Sequence, residues 1–173
     1  MKTTLLAFLG CAFTASLLAA PTADEIMSAA QAKAGKENKA IYVHFSASWC
    51  GWCKRLDAFL ESPQIKPVFE KHFVPVKLIV QENDQNKALE NAGGTNWLAQ
   101  VGGPEGLPFS AFLDAKGKLL VNSKPNATGR NIGYPAQPAE IDWFLSMLKK
   151  AAPKISDAEL KIIETALREK KTN

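Results

Sequence analysis

Two cysteines three residues apart, Cys50 and Cys53, stand where a strand pattern gives way to a helix pattern, and that junction limits what the chain can fold into. Upstream, Ala40 to Ala47 reads as a short buried strand with Ile41, Val43 and Phe45 as its apolar face. Downstream, helical spacing begins at Cys53 and continues through Leu56, Phe59 and Leu60. A strand that runs straight into a helix calls for a sheet with helices laid on it.

The rest of the chain agrees. Thr22-Ala-Asp-Glu25 is a capping box that starts a helix running to about Lys33, broken by Gly35 and Asn38. Ser62-Pro63 opens a short helical segment ending near Phe73, and Val74 to Val80 reads as a second strand. Residues 84–101 are helical in two pieces, parted by Gly93-Gly94. Phe109–Leu113 and Lys118–Val121 form a strand pair turned at Ala115-Lys-Gly117. A loop rich in Pro, Gly and Asn follows, from Asn122 to Gln137. Pro138 opens a helix that Pro153 ends, and a second capping box, Ser156-Asp-Ala-Glu159, starts a last helix. The expected class is α/β: a mixed central sheet flanked by helices, with an extra C-terminal helix.

The first residues read as an export signal. Lys2 supplies the positive region, Leu5 to Leu18 is uncharged and apolar, and Ala19-Ala20 offers small residues for cleavage. Cleavage after Ala19, Ala20 or Ala23 stays open. The alternatives are an uncleaved anchor, although the stretch is shorter than the ~20 residues a spanning helix needs, and lipid attachment at Cys11. The expected location is periplasmic or secreted. The formal charge of +4 on 173 residues is too small and too scattered to point to nucleic acid.

Removal of the signal takes Cys11 with it and leaves Cys50 and Cys53 as the only cysteines. A disulfide between them closes too short a loop to restrict the unfolded chain much, so a purely structural role is weak. A chemical role is strong. A thiol at a helix N-terminus meets unpaired N–H groups and the positive end of the dipole, which favour the thiolate. Such a thiolate attacks a substrate disulfide, and the second cysteine, one turn along, resolves the mixed disulfide. Cys50 fits the first role and Cys53 the second. With only His44 and His72 beside them the cysteines make a poor zinc set, so no metal is expected, although two thiolates can hold a soft ion such as Cu(I).

The segment Ile41-Tyr-Val-His-Phe-Ser-Ala-Ser-Trp-Cys-Gly-Trp-Cys-Lys54 resembles the active-site stretch of thioredoxins, and Gly106-Leu107-Pro108 with the hairpin to Gly117 resembles their conserved-proline strand. The likeness covers about residues 24–150 and is nearest to exported bacterial thioredoxin-like proteins. It implies a thioredoxin-like fold over residues 21–152, after a signal at 1–20 and before a helical extension at 153–173. It also implies a cis Leu107–Pro108 bond facing the cysteines, with the Leu107 backbone pairing with a bound substrate chain. Three departures stand out: Trp52 where thioredoxins usually have proline, His44 where they carry a buried Asp, and a longer loop at 122–137.

Several residues carry two readings. His44 is either a base that deprotonates Cys53 or a hydrogen-bonded core histidine. Trp49 and Trp52 line a substrate groove or only shield the site. Trp97 and Trp143 are expected to pack in or near the core, and His72 to lie at the surface near a helix end. Arg130-Asn-Ile-Gly-Tyr134 touches a partner or is an ordinary ordered loop. Asn126-Ala-Thr128 is a formal glycosylation sequon that carries no meaning in a bacterial chain. The functional expectation is an exported thiol–disulfide oxidoreductase acting on protein thiols or disulfides, served by an upstream redox partner and needing no diffusible cofactor. The alternative is a binding protein, either a soft-metal carrier or a chaperone-like module, using the same site.

Overall fold

Strand β1 (Ala40–Ser46) is buried along its whole length, on both faces. The strand is buried as expected, and the face opposite Ile41, Val43 and Phe45 is covered by helices as well. In the computed structural model, which describes residues 20–103, 106–125 and 129–169, β1 is an inner strand of a four-stranded sheet ordered β2-β1-β3-β4. It pairs in parallel with β2 (Phe73–Ile79) and antiparallel with β3 (Phe109–Leu113), which pairs antiparallel with β4 (Leu119–Asn122). The sheet is therefore mixed, as expected.

Helices cover both faces. On one face α1 (Ala23–Glu37) brings Met27, Ala30 and Ala34 against Ile41, Val43 and Phe45, with Leu98 from α4 (Gly94–Gln100). On the other, Tyr42, Phe73 and Phe112 meet Leu56, Phe59 and Leu60 of α2 (Gly51–Leu60), Phe69 of α3 (Lys66–His72), Phe144 of α5 (Pro138–Ala151) and Leu167 of α6 (Asp157–Glu169). The C-terminal helix thus shares the main core. Trp97 and Trp143 are half-buried, and each donates its indole N–H, to Asp24 and to the Asn122 carbonyl.

Helix boundaries follow local chemistry. The Thr22–Glu25 box caps α1. The helix runs past Gly35, which costs only about 1 kcal/mol inside a helix, and stops at Asn38, which takes the left-handed conformation. The 84–101 region divides as expected, into a 3₁₀ turn over Asp84–Leu89 and α4. Strand β2 is an edge strand with Pro75 and Lys77 exposed, and the pairing of the other edge strand, β4, slips at Phe112–Leu113. Among the described residues no helix is long and apolar enough to cross a membrane. The apolar N-terminal stretch with Cys11, and the sequon at 126–128, lie outside the described residues.

His72 corrects an expectation. Its side chain is only 10 % exposed, and its Nε2 lies 3.1 Å from Glu159. Glu159 also caps α6 through Ser156 and pairs with Lys71 of α3 at 2.7 Å. The Lys71 hydrogen bond, then those from Ser156, hold this carboxyl well below the ordinary carboxylate range. A depressed folded pKa stabilises the protein above the unfolded value of about 4.3 and loses that contribution as pH falls through the folded value. Glu159→Ala should lower unfolding stability at pH 7 by about 1–2 kcal/mol, cap and ion pairs together. Glu159→Gln, which preserves the capping box, should cost less. In thermal melts the gap between wild type and variant should narrow below about pH 4.

Candidate active site

The turn between β1 and α2 is held from below. The buried Glu82 carboxylate accepts the Ser48 amide and hydroxyl, and Asn86 donates to that hydroxyl at 3.0 Å. Two residues on, Cys50 is the N-cap of α2, and its Sγ accepts the Cys53 amide at 3.1 Å. A sulfur in this position receives a backbone donor and the positive end of a ten-residue helix, both of which favour a thiolate. Cys50 and Cys53 are joined by a disulfide with Cα atoms 5.2 Å apart. Cys50 is 4 % exposed and Cys53 fully buried.

The two tryptophans part company. Trp49 is half exposed and donates its indole N–H to the Gln81 carbonyl at 2.8 Å. Trp52, equally exposed, stacks on Tyr134 with ring centroids 5.9 Å apart, and the Arg55 guanidinium lies over both rings. Trp52, Leu107, Pro108, Ile132 and Tyr134 wall a cavity of about 280 Å³ beside the cysteines. The Leu107–Pro108 peptide bond is cis, and Leu107 packs on Ala47, Cys50 and Cys53. The 130–134 loop, read as either partner-facing or ordinary, contributes Ile132, Gly133 and Tyr134 to one wall of this cavity.

His44 lies on the α2 side of the sheet, its ring stacked 5.7 Å from Tyr42. Its Nε2 is 2.9 Å from Asp57 Oδ1 on α2, and Lys77 of β2 also donates to Asp57. Burial pushes the Asp57 carboxyl up, but the hydrogen bonds from His44 and Lys77 outweigh it and hold the group below its ordinary value. An ionised Asp57 only accepts, so Nε2 must carry the proton. The neutral ring then presents a bare Nδ1, which is buried and has no hydrogen-bond partner among the described residues. Asp57 follows Cys53 by four residues, one helical turn along the same face of α2.

Asp57, Lys77 and Glu82 carry no signal in the sequence. Each acts through a contact distant in sequence, and none belongs to a spaced motif. Tyr134, by contrast, lies in the 130–134 loop that the sequence marks as a candidate partner contact.

A cysteine pair at the N-terminus of a helix that leaves the central strand, faced by a proline strand, defines a thioredoxin-fold site. The Thioredoxin-like family model matches residues 22–115, more than half of the chain, and the chain belongs to that family. No curated protein matches it. Among solved structures it is similar to a disulphide isomerase from Xylella fastidiosa Temecula1, at 23 % identity and TM-score 0.47, covering 66 % of this chain and 80 % of that one. A DsbH oxidoreductase matches at 23 % identity and TM-score 0.49, over 83 % and 95 % of the two chains. The oxidised C-terminal domain of Neisseria meningitidis DsbD matches at 16 % and 0.46, over 73 % and 97 %.

Proposed function

We propose that this protein is an exported thiol–disulfide oxidoreductase that exchanges disulfides with polypeptide substrates through Cys50 and Cys53. The observation that carries the reading is the placement of Cys50 Sγ. It caps α2, accepts a backbone N–H, and is bonded to a sulfur that solvent does not reach. In the reduced protein the Cys50 thiolate attacks one sulfur of a substrate disulfide. A Cys50–substrate disulfide forms and the other substrate sulfur leaves as thiolate. Cys53, having lost its proton, attacks Cys50 Sγ, closes the internal disulfide and releases the second substrate thiolate. An upstream dithiol partner then restores the reduced pair. His44 Nδ1 supports the second step as acceptor of the Cys53 proton. Trp49, Trp52 and Leu107 support substrate binding, and Pro108 the positioning of Leu107.

The test mixes the reduced protein with a disulfide-bonded polypeptide and counts thiols. Two substrate thiols should appear for each Cys50–Cys53 disulfide formed. A reduced protein that stays reduced in the presence of the polypeptide would end this reading.

Export rests on Lys2, the apolar stretch from Leu5 and Ala19-Ala20. Thr22 caps α1, and the Pro21 carbonyl accepts the Asn91 side chain at 2.9 Å. A cut after Ala23 removes both contacts, whereas cuts after Ala19 or Ala20 spare them. Intact mass of protein recovered from outside the cytoplasm should therefore give an N-terminus at Ala20 or Pro21. A product beginning at Met1 would instead support the anchor.

A further inference from the structure

We propose that Asn131 is a positioning residue that holds Leu107 in place to receive an extended substrate chain, an inference that rests on the exchange function above. Asn131 lies in the 122–137 loop, the segment that departs in length from the thioredoxin pattern. Its Nδ2 donates to the Gly106 carbonyl at 3.0 Å and to the Pro108 carbonyl at 2.9 Å, the carbonyls on either side of Leu107. Its Oδ1 accepts the Gly133 amide at 3.1 Å and the Ser123 hydroxyl at 2.7 Å. The orientation of the amide is dictated by these partners: carbonyls only accept, and the Gly133 N–H only donates. Both of its polar atoms, each making two hydrogen bonds, are committed to this one task.

The anchor continues into the sheet. The Ser123 hydroxyl, fully buried, accepts the Ser110 amide of β3 at 3.0 Å. A connected path therefore runs from β3 through Ser123 and Asn131 to the backbone on both sides of Leu107. Gly106 and Gly133 have positive φ of 72° and 61°, a backbone conformation that glycine adopts without strain and that the two turns flanking this bracket require. Among the described residues, neither the amide nor the carbonyl of Leu107 itself has a hydrogen-bond partner. Asn131 thus ties down the neighbours and leaves the residue between them open for strand-like pairing.

The chemistry separates two kinds of substrate. A polypeptide disulfide needs the Leu107 backbone in register with its own. Hydroxyethyl disulfide has no peptide group to pair and needs only the Cys50 thiolate. Asn131→Asp retains the acceptor toward Gly133 and Ser123 but turns a carboxylate oxygen toward two carbonyls. With this variant reduced, the rate of exchange with a disulfide-bonded unfolded polypeptide should fall about 10- to 100-fold, while the rate with hydroxyethyl disulfide stays within about twofold. Asn131→Ser, which removes the bracket without adding charge, should show the same selective loss and serves if the Asp variant loses its native circular dichroism. Equal slowing toward both disulfides, or no slowing toward the polypeptide, overturns the role of Asn131 alone. Failure of the unaltered protein to exchange with the polypeptide overturns the functional reading, and this inference with it.

Discussion

Cys53→Ser should leave the protein covalently joined to its substrates, whereas Cys50→Ser should leave it joined to none. Removing the resolving thiol stops the reaction after the first exchange, so the Cys50–substrate disulfide accumulates. Removing Cys50 takes away the sulfur that caps α2 and accepts the Cys53 amide. Cys53 does not substitute for it, because it is fully buried within the first turn of α2, away from the N-cap. Non-reducing gels of each variant after exposure to disulfide-bonded polypeptide read the difference directly. Turnover should be abolished in both. Trapping by Cys50→Ser and not by Cys53→Ser would reverse the two assignments.

His44→Ala should slow release of the mixed disulfide by about 100-fold near neutral pH and leave the initial attack nearly intact. Attack draws on the Cys50 thiolate, which the helix terminus favours. Resolution needs a proton to leave Cys53, a buried thiol whose surroundings oppose its charge. In the neutral ring Nε2–H is committed to Asp57, so Nδ1 is the nitrogen that can accept the proton. Asp57→Asn removes the carboxylate that fixes this tautomer and should weaken the same step by a smaller factor. Rapid-mixing measurements of the two steps over a range of pH separate the outcomes. Equal slowing of both steps in His44→Ala would assign the loss to packing against Tyr42.

Much of this architecture was legible because its signals are local. The capping boxes at Thr22 and Ser156 and the Pro138 helix start lie within four residues of what they cap, and all appear where expected. The cysteine junction was legible for the same reason. A core position was one of the two readings of His44, but the carboxylate that pairs with it was not legible, since an alternating strand does not announce which helix residue meets its polar face. The Asp57 contacts with His44 and Lys77 span 13 and 20 residues. The Asn131 bracket reaches back 25 residues across a loop without periodicity. Such pairs become visible only when the sheet order brings them together.

The edges of the sheet carry one more consequence. An open sheet edge invites the unpaired strands of other chains to add on and stack into aggregates. Here β2 shows Pro75, which has no N–H to offer, and the charged Lys77. At the opposite margin β4 is only four residues long, and its pairing with β3 slips. Foreign strands are thereby discouraged from growing along either rim. Under the exchange function proposed above, this leaves the disulfide face, and not the rims of the sheet, as the place where a polypeptide substrate docks.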